Sequence, residues 1–276
     1  MRSLVGPTMA PLRSLCFRTD LFLARCAGGE VIERERYVVL RTPGNPDYWW
    51  GNFLLHHEPP EPAIALDDHA RELPGAKHTL VAWDRPDGDR GHVDDFVPYG
   101  FHVDEGVILT ARAGDLVAPQ KVDPRITVAP LVTAEDWEEA VVAQVNAFAP
   151  RRSGTLDDLR TFIARQYAAY RAMQEREQGR WWGARIDGQM AGSLGLVRVD
   201  DTLGRFQLVG VDPAFGRRGV CSALVHHVAR RALFEEGLET LVMAADATYH
   251  AAKVYESVGF RRTETLVAAL KKPPKA

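Results

Sequence analysis

The residues of this chain best placed to do chemistry are Gly216, Arg217, Arg218 and Gly219. They stand between an apolar run and an amphipathic one in "LVGVDPAFGRRGVCSALVHHVARRALFEEG", residues 208–237. Leu208, Val209 and Val211 read as a strand, which Pro213 stops because proline cannot donate to a ladder. Beyond the loop, Val220, Leu224, Val228 and Ala232 recur at i, i+4 spacing, and Gly237 marks the end of a helix. The first turn of such a helix has amide groups with no internal acceptor and carries partial positive charge. The backbone of Gly219, Val220, Cys221 and Ser222, with Arg217 and Arg218 beside it, is therefore expected to cradle an anion such as a diphosphate. Gly216 and Gly219 are expected to allow close approach or positive φ. A packed turn with solvated arginines is the alternative.

Other reactive side chains point to less. Cys221 sits at a helix start, where a thiol pKa falls, but no ordered histidine and carboxylate accompany it. His226 and His227 are adjacent on the helix and cannot both face one ligand, so they read as half-buried surface residues and no metal site is expected. Asp200 and Asp201 in "RVDDTLG" read as turn residues. His250 is a candidate base or a helix cap.

The elements that must position the loop continue downstream. "TLVMAAD", residues 240–246, suits a buried strand. "HAAKVYESVGF" then puts Ala251, Val254, Tyr255 and Val258 on one helical face before Gly259, and "RRTETLVAAL" is a further extended segment. Upstream, Thr133 and Asp136 form a capping-box pattern before an amphipathic helix through Trp137, Val141, Val145 and Phe148. A second helix carries Leu159, Phe162, Ile163, Tyr167 and Tyr170, and Asp187-Gly188 is a hairpin turn between two strands.

On "VDPAFGRRGVCSALV" and "AAKVYESVGF", residues 126–270 resemble the GNAT superfamily of N-acetyltransferases. The resemblance covers about half of the chain. It implies an α/β (α+β) fold with a mixed, mainly antiparallel sheet and acetyl-CoA as co-substrate. The family loop Arg/Gln-x-x-Gly-x-Gly/Ala falls on Gly216, Arg217, Arg218, Gly219, Val220 and Cys221. Gly219 matches strictly, whereas Gly216 and Cys221 depart from the pattern. Val209 and Val211 resemble the strand positions that pair with the pantetheine arm, and Tyr255 falls where the family keeps a tyrosine that protonates the departing thiolate. Relatives often hold a glutamate on the strand before the loop, but "GRFQLVGV" offers Gln207, and no general base is assigned.

The first half shows a weak echo of the second. "TLVAWD" (79–84) resembles "TLVMAAD", and "FVPYGF" (96–101) resembles "YESVGF" (255–260), at nearly constant offset, which suggests two related units, residues 1–124 and 125–276, in tandem. At that offset the loop maps onto "WGNFLLHHEPP" (50–60), before a helix around residues 62–73. Glu58, Pro59, Pro60 and Glu61 there remove amide donors and add negative charge, so the first unit is not expected to bind CoA. Its "YVVLRTPGNPDYWWGNFLL" is expected to pair with the sheet of the second unit or to wall the acceptor pocket. Trp49 and Trp50 serve as wall or core. The boundary is expected in "RAGDLVAPQKVDPRI".

Composition is compatible with this. The 276 residues are 46% hydrophobic with a formal net charge of −3, enough for one large core or two modest ones. No basic run is interleaved with aromatics, so nucleic acid is not an expected partner. No apolar run approaches a membrane span, and the N-terminal stretch is broken by Gly6, Pro7, Pro11 and Arg13, so a cytoplasmic protein is expected. Cys16, Cys26 and Cys221 form no disulfide framework or metal spacing. The expected function is acetyl transfer from acetyl-CoA to a primary amine of a small molecule or peptide, with a homodimer as one assembly. A non-catalytic CoA-binding or interaction protein is the alternative. A nucleotide-phosphate enzyme is a weaker third reading, because the lysine of a P-loop and dinucleotide glycine spacing are both missing.

Overall fold

The structure is a computed structural model and describes residues 12–151, 155–246 and 251–273. The first eleven residues and His250, with the readings made of them, lie outside the described residues.

Among the described residues the chain forms α1 (Leu15–Cys26), β1 (Glu30–Glu33), β2 (Tyr37–Arg41), β3 (Phe53–His56), α2 (Pro62–Glu72), β4 (Thr79–Trp83), β5 (His102–Ala111), β6 (Ile126–Pro130), α3 (Ala134–Phe148), α4 (Leu156–Glu175), β7 (Gly179–Ile186), β8 (Gln189–Arg198), β9 (Leu203–Val211), α5 (Val220–Phe234), β10 (Thr240–Asp246), α6 (Ala251–Ser257) and β11 (Arg261–Lys271). The local sequence accounts for most boundaries. Thr133 and Asp136 cap α3 reciprocally, and Thr155 and Asp158 do the same for α4, each satisfying amides that a helix start leaves open. Asp187 and Gly188 both take positive φ, which a tight β7–β8 hairpin requires.

All strands join one sheet in the order β1-β2-β3-β4-β11-β5-β10-β9-β8-β7-β6. Its centre interleaves the two ends of the sequence. β5 runs antiparallel between β10 and β11, and β11 runs antiparallel between β4 and β5. β4 also pairs parallel with β3, as β10 does with β9. Each end of the chain thus lends one strand to the other, and the sheet is mixed but mainly antiparallel.

Alternation along the strands splits the core between two faces. On one face, α5 and α6 bury Leu224, Val228 and Tyr255 against Leu196, Leu241 and Met243. On the other, α1 packs Phe17 and Leu21 over Leu40, Phe53 and Val242, while α3 and α4 enclose Trp181. Tyr170 stacks on Trp181 with centroids 4.7 Å apart, a pair worth about 1 kcal/mol beyond the area buried.

The fixed-offset comparison needs one correction. The offset sets residues 209–211, the end of β9, against residues 50–52, which precede β3, so it does not align the two strands. The equivalent connection is residues 57–61, shorter than residues 212–219, because the first half joins its strand to its helix by a tighter turn. α2 nevertheless begins at Pro62, and Glu58 there is engaged by Arg13 and Arg85.

Candidate functional site

The strand before the glycine loop loses its neighbour partway along. β9 pairs parallel with β10 only from Leu203 to Arg205, opposite residues 240–242. From Phe206 to Val211 the side of β9 that faced β10 has no strand partner among the described residues, while its other side remains paired with β8 through Gly210–Ser193 and Val211–Gly192. A cleft therefore opens between β9 and β10, with Val209 and Val211 on its exposed backbone edge. An extended ligand arm can add to such an edge through main-chain hydrogen bonds.

A bulge sharpens the opening. Between Gln207–Gly195 and Gly210–Ser193 the register shifts, so Leu208 and Val209 together oppose Leu194. Leu208 takes φ of 49°, a conformation costly for a residue with a β-carbon. Its carbonyl accepts a hydrogen bond from Gln144 Nε2 at 3.1 Å, and the buried Gln144 belongs to a network with Tyr167 and Ser193, whose hydroxyls are 2.7 Å apart. Full pairing of this polar cluster holds the bulge against its strain.

At the mouth of the cleft, Asp212 caps a 3-10 turn, Pro213–Phe215, and Gly219 then caps α5 with no side-chain bond. The first amides of α5, on Val220, Cys221 and Ser222, have no acceptor within the helix. Gly216 does not take positive φ. The left-handed positions are Arg217, at 61°, and Gly219, at 82°. Arg217 and Arg218 are both exposed; Arg218 lies over the Phe215 ring at 5.8 Å, and its carbonyl accepts from Asp123 N.

Gly219 has a further, structural reason to be glycine. The backbone of Lys121 and Val122, in the irregular segment between β5 and β6, fills the position a β-carbon would occupy. A side chain at 219 would strike that segment before reaching any ligand.

Tyr255 is buried on α6, among Ala252, Val258 and Phe260. Cys221 is no activated thiol: burial pushes its pKa up to about 12. His226 and His227 have pKa values lowered chiefly by desolvation, and the exposed His227 ring lies 5.5 Å from Trp182. Asp200 accepts from the amides of Thr202 and Leu203, as a turn residue does.

What the sequence reading missed lies on the opposite face of β9. A cavity of ≈ 90 Å³ opens there between α1, the β2–β3 connection and α4, with Gln207 in its wall. That space holds several waters or one small polar group. Asp20 and Tyr48 come from the first half, and Gln166, Tyr170 and Gln207 from the second. Gln207 donates to the Tyr170 hydroxyl at 2.9 Å, and Gln166 donates to the same oxygen at 2.9 Å. Desolvation raises the pKa of Asp20, which Arg205 opposes from 3.0 Å. Trp50 lines this cavity while also packing against the core. No group of three or more histidine, cysteine, aspartate or glutamate side chains suited to a metal occurs among the described residues, and no helix among them is long and apolar enough to cross a membrane.

Comparison with known proteins agrees with this fold. The model of the acetyltransferase (GNAT) family matches residues 149–260. Among solved structures, a functionally unknown conserved protein from Staphylococcus epidermidis is similar at 16% identity and a TM-score of 0.70, over 89% of this chain and 94% of that one. A GCN5-related N-acetyltransferase from Kribbella flavida is similar at 15% identity and a TM-score of 0.63, over 94% and 96%. A tandem GNAT protein from the clavulanic acid biosynthesis pathway is similar at 12% identity and a TM-score of 0.55, over 90% and 80%. At these identities the likeness is one of fold. The curated proteins contain no match to the chain.

Proposed function

We propose that this chain, whose residues 149–260 match the model of the acetyltransferase (GNAT) family, transfers an acetyl group from acetyl-CoA to a primary amine. The observation that carries this reading is the parting of β9 from β10 after Arg205, directly before an α-helix whose first amides are uncapped by any side chain. The free edge at Val209 and Val211 suits the amide-bearing pantetheine arm, and the amides of Gly219, Val220, Cys221 and Ser222 suit the diphosphate, with Gly216 giving the turn its tightness and Arg217 and Arg218 adding charge. The exposed Arg217 is the side chain freest to swing toward a phosphate.

In the reaction the acceptor ammonium first loses a proton. Its nitrogen then forms the new bond to the thioester carbon, the carbon–sulfur bond breaks, and the sulfur leaves with the electron pair. Tyr255 gives the thiolate its proton and regains one from solvent, while the nitrogen releases its second proton. The balance is amide, CoA thiol and one free proton. A main-chain amide of β9 is the donor for the oxyanion.

The strand exchange between β5 and β11 supports a tandem reading in which residues 1–124 and 125–276 are related units and only the second binds CoA. In the first, Pro62 opens α2 without an amide donor and Glu58 stands nearby, both unfavourable to a diphosphate. With no helix among the described residues suited to a membrane, a cytoplasmic location is part of the proposal. Homodimerisation is open to measurement by sedimentation.

A non-catalytic CoA-binding role is the second reading, favoured by one observation: β9 offers Gln207 where a carboxylate base would stand. Calorimetry with acetyl-CoA, CoA and ATP tests the ligand class, and release of CoA thiol in the presence of amines separates the two readings. Binding without amine-dependent thiol release rejects the enzyme.

A further inference from the structure

Building on the acetyltransferase reading, we propose that the cavity shared by the two halves receives the acceptor as an aliphatic ammonium, held by Asp20 and Asn45 of the first half.

The cavity is placed for an acceptor. Gln207 lines it from the stretch of β9 that has already left β10, so the cavity backs onto the cleft assigned to the pantetheine arm. It opens on the face covered by α1 and α4, opposite the face on which α5 packs.

Its polar groups select a donor of hydrogen bonds. Asn45 is 3% exposed, and its Nδ2 donates to Gln166 Oε1 at 3.1 Å, which leaves Oδ1 as an acceptor with no hydrogen-bond partner. A buried acceptor left open is costly, and the surrounding loop does not relax to relieve it: Asn45 N donates to Thr42 O, and Asn45 O accepts from Tyr48 N and from Asn52 Nδ2. An N–H-bearing ligand removes that cost.

Charge narrows the choice. Asp20 is the single carboxylate in the cavity wall, and Arg165, its single cation, stands at the rim with Nη1 4.0 Å from Asp47. One oxygen of Asp20 takes Arg205 and the other the Cys16 thiol at 3.5 Å, but a carboxylate has about four lone-pair directions, so two bonds do not exhaust it. Arg205 is committed to Asp20, Thr19 and the Phe206 carbonyl. A free α-carboxylate beside the reacting nitrogen would therefore face Asp20, while Arg165, the cation of the wall, stands apart at the rim beside Asp47. The pocket favours amines such as lysine side chains or diamines and disfavours α-amino acids.

The test is steady-state acetylation of n-butylamine, 1,4-diaminobutane and Nα-acetyl-lysine amide against leucine and glutamate, with acetyl-CoA affinity measured by calorimetry on the same preparations. The alkyl amines should exceed the α-amino acids in kcat/KM by at least about tenfold. Asp20→Asn keeps an oxygen for Arg205 and removes the charge, and it should raise KM for the amine about 10- to 100-fold, the range expected for a charge-assisted hydrogen bond, with acetyl-CoA affinity unchanged. Asn45→Leu is the second variant, independent of the Arg205 pair, and should also raise KM. Equal use of α-amino acids, or an unchanged KM in folded variants, overturns the proposal. If the wild-type protein fails to bind acetyl-CoA, the acetyltransferase reading falls by itself. Quenching of Trp50 fluorescence by 1,4-diaminobutane then decides the cavity: saturable binding abolished by Asp20→Asn sustains the ammonium site, and its absence rejects it.

Discussion

Asp20 on α1 and Arg205 on β9 meet across the two halves of the chain, with Oδ1 and Nη2 3.0 Å apart and the arginine side chain 6% exposed. The pair is flanked by Cys16 and Thr19, whose Sγ and Oγ1 lie 3.1 and 2.8 Å from Arg205 Nη1. It fixes α1 over the point at which β9 and β10 part, and so joins the architecture of the first half to the geometry of the cleft. Removing one partner of a buried ion pair typically costs about 3–5 kcal/mol, because the other is left uncompensated. Arg205→Leu should therefore lower stability by about 3 kcal/mol or more in urea denaturation. A loss below about 1 kcal/mol would show that water reaches the pair and that α1 is held by its apolar face alone.

Gly219 has two constraints, and they separate experimentally. A β-carbon at φ of 82° costs about 1–2 kcal/mol and also meets the Lys121 backbone. Gly219→Ala should be destabilised by at least that amount, whatever becomes of CoA binding, so it is a poor probe of the diphosphate site. Arg217→Glu, on an exposed side chain, should leave the melting temperature within about 2 °C and weaken acetyl-CoA about tenfold, the effect of about 1.4 kcal/mol. Equal affinity in that variant would detach Arg217 from the phosphates.

Tyr255→Phe keeps the ring that packs among Ala252, Val258 and Phe260 and deletes only the hydroxyl. If the phenol protonates the leaving thiolate, kcat should fall about a hundredfold, within the range for a lost general acid, with acetyl-CoA affinity unchanged. Unchanged turnover, read by thiol release, would assign that proton to solvent.

Three buried histidines, His56, His69 and His78, make stability depend on pH, each with its pKa lowered first by desolvation. His56 and His69 have their pKa values lowered to about 4, in both cases first by desolvation. The unfolded chain binds a proton at each near the ordinary value of about 6.5, so between these limits the unfolded state holds more protons and stability falls as pH falls. Melting temperature should be level above pH 7 and drop between pH 6.5 and 4. His56→Gln should flatten that drop. Loss confined to pH below 4 would instead point to carboxylates such as Asp123 and Asp136, whose pKa values are held at about 2.

The contiguous parts of the fold were readable in the sequence and the assembled parts were not. The run from β9 through the loop to α5 is local, and its spacing, proline and glycine carried the reading. Likewise, the capping pairs of α3 and α4 and the Asp187-Gly188 turn depend on neighbours within four residues. Of the two roles open to Gly216, positive φ falls to Arg217 instead and close approach is left, because the pattern of a loop does not fix which residue turns. The places of β5 and β11 depend on partners far off in the chain, and nothing in "RRTETLVAAL" reveals that it separates β4 from β5. Asp20 and Asn45 were invisible as cavity residues for the same reason, since only the shared sheet brings them beside Gln207. The packing of residues 121–122 on Gly219 was equally hidden, and it changes what that glycine means.

The most direct test of the CoA site follows hydrogen exchange of the backbone amides while acetyl-CoA is added. The geometry predicts slowed exchange at residues 219–222, where α5 begins, and along residues 206–211, where β9 lacks a strand partner, with little change at the start of α2. No binding, or protection confined to other segments, would contradict the proposal that this loop and strand edge hold the acetyl donor.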